Sequence, residues 1–114
     1  MTTAIIANLE KLLDGPRDGA LLRYSLGNEW LKAGDPAKAA DCFRAAVERD
    51  PKYSAAWKLL GKALTECGDI QAALDAYTQG MRVAEEKGDL QAAKEMGIFA
   101  RRLRKQTGEG SGVA

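Results

Sequence analysis

Histidine is absent from this sequence of 114 residues. Its absence removes the commonest general base and metal ligand, and with them the serine–histidine and cysteine–histidine nucleophile pairs. The two cysteines, Cys42 and Cys67, lie far apart and form no CxxC pair, so we expect neither a disulfide framework nor a zinc site. No phosphate-binding glycine loop or convergent pair of carboxylates is recognisable. The sequence therefore predicts a protein that is not an enzyme and has no metal or cofactor site.

Long apolar runs and an excess of charge of one sign are also missing. No stretch approaches the roughly 18 apolar residues that a membrane-spanning helix needs. Seventeen basic and sixteen acidic residues leave a net charge of +1, so neither nucleic acid nor a membrane is expected as a partner. The N-terminus shows no basic leader and no small-residue cleavage site, which favours a cytoplasmic location. The length suits a single domain.

What the sequence does contain is an internal repeat. Residues 20–53 match residues 54–87 at an offset of 34 positions. The agreeing pairs are Leu26-Gly27 with Leu60-Gly61, Gly34-Asp35 with Gly68-Asp69, Ala39 with Ala73, and Phe43 with Tyr77. A period of this size indicates a repeat array, which works by presenting a surface.

Apolar spacing is helical along the whole chain and predicts an all-α protein of about six helices. Asp35, Ser54, Asp69 and Asp89 are the expected N-caps, and Gly34, Gly68 and Gly88 the expected stops. The predicted helices cover 4–14, 20–33, 36–49, 54–67, 70–87 and 89–106. Residues 107–114 show no apolar periodicity and are expected to form a disordered tail.

One motif allows the repeat to be compared with a known family. Trp57-x2-Leu60-Gly61-x2-Leu64, followed by Ala73-x3-Tyr77, resembles the tetratricopeptide pattern of W-x2-L-G-x2-Y and A-x3-F. The first copy reads Leu26-Gly27-x2-Trp30, then Ala39-x3-Phe43, and closes with Pro51. The resemblance implies an antiparallel helix-turn-helix array, an α-solenoid whose usual work is protein binding.

We expect the two complete repeats to be flanked by a helix at each end of a single domain, 1–106. We interpret the helix at 4–14 as the second helix of a decayed repeat, because Leu9 and Leu13 lie 34 residues before Phe43 and Val47. A third repeat in register would put Lys94 and Glu95 where leucine and glycine belong. GDLQAA at 88–93 instead echoes GDIQAA at 68–73, so we interpret 89–106 as a copied second-helix start that serves as a cap.

The resemblance implies a binding groove, because the first helix of each tetratricopeptide repeat lines a concave face that holds short peptides. Carried over by repeat position, the groove consists of Leu21, Tyr24, Asn28, Leu31, Lys58 and Lys62. Lysines one turn apart could hold a carboxylate of an acidic peptide, or could simply be solvated. The carboxylate clamp found in some members of the family is matched only at Asn28, so a clamp for chaperone tails is not expected.

A secondary surface is expected on the last helix, at Ile98, Arg101, Arg102 and Lys105. Ala92, Met96, Phe99 and Leu103 form a stripe that we expect to be buried, which leaves Ile98 among the cations on the opposite side. Such a patch could anchor an acidic partner, although single exposed apolar residues are common on protein surfaces.

The function that the sequence favours is that of an adaptor or scaffold, with a short segment of a protein partner bound in the concave groove. Two alternatives stay open: a structural or self-assembly module, and a chaperone similar to the tetratricopeptide chaperones of bacterial secretion systems. We expect a monomer or a weak homo-oligomer, and the compact chain suggests a bacterial source. Nothing in the sequence names the partner.

Overall fold

The computed structural model describes residues 2–108, and within this range all regular structure is helical. The six helices are α1 Thr2–Glu10, α2 Ala20–Lys32, α3 Pro36–Arg49, α4 Ser54–Glu66, α5 Ile70–Lys87 and α6 Leu90–Thr107. The prediction of an all-α chain with about six helices is confirmed. Of the tail expected at 107–114, only Thr107, which ends α6, and Gly108 fall within the described residues.

Side-chain caps and left-handed glycines set most of the helix ends. Asp35 accepts a hydrogen bond from the backbone N–H of Lys38 at 3.1 Å, and Asp69 and Asp89 cap α5 and α6 in the same way. Gly34 and Gly68, which follow the C-caps of α2 and α4, have φ angles of 80° and 81°, a conformation that glycine adopts without a Cβ penalty. A left-handed glycine and an aspartate N-cap therefore separate the two helices of each repeat.

Two sequence-based boundaries are wrong. Ser54 is not an N-cap: Tyr53 holds that position, and Ser54 is a buried residue in the first turn of α4. The N-terminal helix ends at Glu10 and not at residue 14. Turns replace it because the backbone N–H of Asp14 donates to the Asp18 carboxylate at 2.8 Å, while Asp14 takes a positive φ of 65°.

The helices pack in an array in which each contacts its neighbour in the chain. The helix α4 also lies close to α2 and α6, whereas the backbones of α1, α3 and α5 do not approach one another closely within the described part of the chain. The first helices α2, α4 and α6 therefore form a continuous row, and the second helices α1, α3 and α5 lie apart from one another. The array measures 52 × 30 × 19 Å. The division into repeats 20–53 and 54–87 stays a prediction, and the pairs α2–α3 and α4–α5 fall within those ranges.

The last helix does not behave as a copied second helix. It packs on α4 as well as on α5, which is the contact pattern of a first helix. Its Met96-Gly97 follows Leu60-Gly61 by 36 residues, so the register of a third repeat exists with two extra positions. The two extra positions arise because α5 has 18 residues where α3 has 14, while the connection that follows α5 is two residues shorter than the one that follows α3. The buried stripe also differs, since Ala93 and Ala100 are buried while Ala92 and Phe99 are only half-buried.

Glycines allow the two helices of each repeat to approach closely. A Cβ atom built on Gly27 would lie 2.6 Å from the ring of Phe43, and one on Gly61 would overlap the ring of Tyr77. Both rings are almost fully buried. The aromatic side chain of the second helix thus fills the space that the glycine of the first helix leaves, as expected for a close-packed interior.

An ion cluster joins the N-terminal turns to the array. Arg23 donates two hydrogen bonds to the Asp18 carboxylate, from Nε at 2.9 Å and from a terminal guanidinium nitrogen at 2.7 Å. Arg49 of α3 approaches the same carboxylate at 3.9 Å. The hydrogen bond from Arg23, aided by the one from the Asp14 backbone N–H, holds the pKa of Asp18 well below its usual range.

This cluster makes a prediction about acid stability. Because the pKa of Asp18 is lower in the folded than in the unfolded chain, its contribution is present above the ordinary carboxyl pKa, about 4, and is lost as the pH falls below it. Asp18→Asn should therefore lower the free energy of unfolding at pH 7, and the difference from wild type should shrink in acid. Urea titrations over a pH series measure this difference, with Asp41→Asn as the exposed control. A difference that does not vary with pH would contradict the assignment.

Candidate functional site

A groove lies between α4 and α6, on the row of first helices. Its volume is about 470 Å³. The residues that line it are Lys58, Leu59, Lys62, Thr65, Glu66, Tyr77, Glu95 and Phe99. We refer to these eight residues as the α4–α6 groove.

Aromatic side chains line much of this groove. The rings of Tyr77 and Phe99 lie with centroids 5.7 Å apart, and Leu59 is half-buried on the neighbouring face of α4. Tyr77 is only 4% exposed, and burial raises the pKa of its phenol, so the ring stays neutral at physiological pH. The groove therefore presents an apolar surface to which a hydrophobic side chain can bind.

The charges around the groove are not equivalent. Lys58 Nζ lies 3.0 Å from Glu95 Oε1, and the amide of Gln91 donates to Glu95 Oε2 at 3.3 Å. The hydrogen bond from Lys58, followed by that from Gln91, lowers the pKa of Glu95. Lys62, in contrast, is exposed and takes part in no ion pair among residues 2–108. Lys58 is thus largely neutralised within the protein, and Lys62 is available to a ligand.

A smaller depression of about 140 Å³ continues the groove toward the end of α6. It shares Thr65, Tyr77 and Phe99 with the α4–α6 groove and adds Arg102, Leu103 and Gln106. Arg102 is exposed at this edge. The groove thus has two cations without an ion pair in the described structure, Lys62 and Arg102.

The groove residues expected from the first repeat lie elsewhere. Leu21 is exposed, and Asn28 and Leu31 are half-buried, but none of them lines the α4–α6 groove. The ring of Tyr24 packs against Tyr53, with centroids 4.8 Å apart, and also contacts Phe43. The structure therefore brings Lys58 and Lys62 together and leaves the four residues of α2 outside this groove.

The secondary surface expected on α6 is divided among different places. Ile98 and Arg101 line an end groove, on the side of α6 that faces away from α4, together with Met81, Glu85, Leu90, Ala93, Lys94 and Gly97. Arg102 belongs to the edge of the α4–α6 groove, and Lys105 is exposed in the last turn without lining either groove. Successive residues of a helix point in different directions, so these cations do not form one patch.

Sequence reasoning missed Glu95 and Phe99 as groove residues. The helical wheel predicts Phe99 in a buried stripe, and an offset of 34 residues aligns Glu95 with a glycine position, so neither residue is predicted to line the groove. The signal that places them correctly is Met96-Gly97, which lies 36 residues after Leu60-Gly61.

Neither a membrane span nor a metal site is found in the part of the chain that the structure describes. No helix between residues 2 and 108 combines the length and the apolar character that crossing a bilayer requires. In the same range no three acidic or cysteine side chains are grouped so that they could hold a metal ion.

The array of helix pairs and its row of first helices define a tetratricopeptide repeat protein. The model of the tetratricopeptide repeat family matches residues 24–80, and this chain belongs to that family. It is 50% identical over 99 residues to the TPR repeat-containing protein PA0015 of Pseudomonas aeruginosa, which covers 87% of this chain and 94% of that protein.

Two further relatives extend the comparison. The solution structure of protein BPP2914 from Bordetella parapertussis superposes with a TM-score of 0.76 at 39% identity, over 90% of this chain and 89% of that one. A heat-shock protein cognate co-chaperone of Aspergillus fumigatus is 40% identical over 62 residues, which is 54% of this chain and 18% of the co-chaperone. Tetratricopeptide proteins typically mediate protein–protein interactions and are generally non-catalytic.

Proposed function

We propose that this protein is an adaptor that binds a short peptide segment of a protein partner in the α4–α6 groove. The observation that carries the proposal is the combination of an apolar surface, from Leu59, Tyr77 and Phe99, with Lys62 and Arg102 at the rim. The co-chaperone relative supports the general class of function, protein–protein interaction.

The groove chemistry suggests which kind of peptide it holds. A hydrophobic or aromatic side chain of the ligand packs against Tyr77 and Phe99, where aromatic contact adds to the burial of area. A carboxylate beside it interacts with Lys62 or Arg102, and charge-assisted hydrogen bonds to these cations fix the orientation of the peptide. Glu66 and the paired Glu95 limit the excess of positive charge, so we propose a ligand with one or two acidic groups.

The size of the groove suggests how much of a partner it holds. Its volume of about 470 Å³ falls within the range of roughly 300–1,000 Å³ typical of small-ligand pockets. Such a groove accommodates a few side chains. The proposal is therefore recognition of a short motif on a largely preformed surface.

Charge reversal at Lys62 tests the proposal. Lys62→Glu should weaken binding of the partner at least about tenfold, because it replaces an attraction for the ligand carboxylate with a repulsion. Arg102→Glu should have an effect in the same direction. The double change Lys58→Glu with Lys62→Glu should abolish binding, but it also removes the Lys58–Glu95 ion pair and is the less specific probe.

The partner would be obtained by affinity purification from the native cell, and a synthetic peptide of its mapped contact segment would be titrated by calorimetry. Arg44→Glu, on the groove between α3 and α5, is the matched control and should bind like wild type. Equal affinities for wild type, Lys62→Glu and Arg102→Glu would remove the assignment of the α4–α6 groove.

A further inference from the structure

The exposed large hydrophobic side chains of the described structure are confined to the two ends of the array. They are Ile5, Leu12 and Leu21 at the N-terminal end and Leu90 and Ile98 at the C-terminal end. Leu21 and Leu90 are the most exposed, at 69% and 68%. Clustered exposed apolar residues typically mark an interaction site, whereas isolated ones do not.

At the C-terminal end, α6 is a first helix on which no second helix packs within residues 2–108. In the two repeats, the ring of Phe43 or Tyr77 packs directly over Gly27 or Gly61. Over the equivalent Gly97, the side chain of Met81 is the one group within 4 Å among the described residues, and its nearest atom would lie 3.5 Å from a Cβ built there. An open groove of about 510 Å³ remains, and Leu90 and Ile98 line it.

At the N-terminal end, α1 has the position of a second helix, and among the described residues no first helix packs on its outer side. The backbone of α1 lies close to that of α2, as α3 lies close to α4, and Cys42 of α3 packs against the small cluster that includes Ile6. At an offset of 34 residues, the exposed Ile5 and Leu12 align with Ala39 and Ala46, which are both 0% exposed in α3. Ala39 and Ala46 share a helix face with Phe43, the residue that packs on Gly27 of α2. The face of α1 that exposes Ile5 is therefore the face that a second helix buries against the first helix of its own repeat, and Leu12 lies in the turns that follow α1.

Leu21 lies on the side of α2 where a preceding first helix would pack. The equivalent side of α6 faces α4, because Glu95 of α6 pairs with Lys58 of α4. Gln91, one turn before Glu95, lies on the same side of α6. Gln91 follows Ala55 by 36 residues, and Ala55 follows Leu21 by 34. Ile5, Leu12 and Leu21 thus border a first-helix position that no helix of residues 2–108 occupies.

We propose that two copies of this chain associate head to tail, with α6 of one copy occupying the first-helix position beside α1 and α2 of the next. The junction completes a repeat: α6 supplies the first helix with its uncovered Gly97, and α1 of the second copy supplies the missing second helix. Ile98 corresponds to Lys62 by repeat position. In the junction it therefore faces the exposed apolar residues around Leu21 of the second copy. The row of first helices continues across the junction, independently of what the α4–α6 groove binds.

The charges at the two ends are compatible with this junction. By repeat position Arg101 corresponds to Thr65, and Glu29 corresponds to Phe99. Thr65 and Phe99 line the same groove within one chain, so the junction places Arg101 near Glu29 of the second copy, where it adds a second cation to the ion pair that Glu29 forms with Lys32 at 3.1 Å. The pairing is between different surfaces, which makes it heterologous, and such contacts produce open chains or closed rings.

Sedimentation velocity from micromolar to millimolar concentration tests the association, with reductant present because Cys67 is exposed. Wild type should show a sedimentation coefficient that rises with concentration. Ile5→Asp and Ile98→Asp, each at an exposed position, should keep the circular dichroism and melting behaviour of a folded protein and remain monomeric. Ala37→Asp, an exposed position in the middle of the array, is the matched control and should associate like wild type.

Mixing the two end variants distinguishes this junction from other modes of association. Ile5→Asp retains an intact C-terminal end and Ile98→Asp an intact N-terminal end, so an equimolar mixture should form a dimer that neither variant forms alone. A wild type that stays monomeric at millimolar concentration would overturn the proposal. So would end variants that still associate, or a mixture that stays monomeric while wild type associates.

Discussion

Met96→Ala is expected to lower the free energy of unfolding by about 2–5 kcal/mol, the usual cost of truncating a fully buried large side chain to alanine. Met96 is 0% exposed and lies directly over Gly80, where α4, α5 and α6 converge. Trp57 of α4 is the other close neighbour, since its Cβ would be 2.8 Å from a Cβ built on Gly80. The side chain therefore joins the last helix to the second repeat, and its loss leaves a cavity at that junction.

The matched control for this substitution is Met81→Ala. Met81 is only half-buried beside Gly97 at the open end of the array, so its truncation should cost less, on the order of 1 kcal/mol. Urea unfolding followed by circular dichroism gives both values. Equal losses of unfolding free energy for the two substitutions would contradict the inference that Met96 holds α6 against the second repeat. Because Glu95 and Phe99 are carried by the same helix, Met96→Ala should also weaken ligand binding in the α4–α6 groove.

The second large effect is expected when alanine replaces the glycine of a complete repeat. Gly27→Ala should destabilise the protein by about 1–3 kcal/mol, because its added methyl group would lie 2.6 Å from the ring of Phe43, which has no free volume to move into. Gly61→Ala should behave similarly against Tyr77. The increased helix propensity of alanine, about 1 kcal/mol, opposes this effect and does not outweigh the steric clash.

The same substitution at Gly97, the equivalent glycine of α6, should raise the free energy of unfolding instead of lowering it. A Cβ at Gly97 meets Met81 at 3.5 Å, which is ordinary van der Waals contact, so Gly97→Ala should stabilise the monomer by up to about 1 kcal/mol. Thermal and urea unfolding of the three variants measure the contrast. In a double-mutant cycle, Phe43→Leu should recover part of the loss caused by Gly27→Ala. Destabilisation of the same size at all three glycines would show that helix packing is not the cause.

The helices and most of their ends could be predicted from the sequence because these features depend on local chemistry. An aspartate cap needs only the backbone N–H three residues later, and a glycine stop needs only its own φ angle, so Asp35 and Gly34 were identified correctly. The predicted cap at Ser54 failed because a tertiary preference outweighed the local one. The structure buries Ser54 in the first turn of α4, and the non-capping Tyr53 is placed before it against the ring of Tyr24.

The candidate site could be predicted only in part. The position of Lys58 and Lys62 on the groove could be predicted, because the family pattern is clear in α4 and assigns this helix to the row of first helices. Glu95 and Phe99 complete the groove from α6, whose register is shifted by two residues because α5 is four residues longer than α3 and the connection after it two residues shorter. Such a shift changes which face of α6 meets α4, and a comparison at a fixed offset does not detect it.

The sequence by itself determined that this chain is an all-α tetratricopeptide array without histidine chemistry, since composition, helical spacing and the 34-residue repeat are properties of the chain alone. Only the tertiary structure decided that Lys58 is paired with Glu95, that α6 takes the role of a first helix, and that both ends of the array expose apolar faces. The physical reason is that pairing and exposure depend on which helix faces another across the array. The rotation of α6 relative to α4, and which side chains at the two ends stay exposed among residues 2–108, are not encoded in any local pattern.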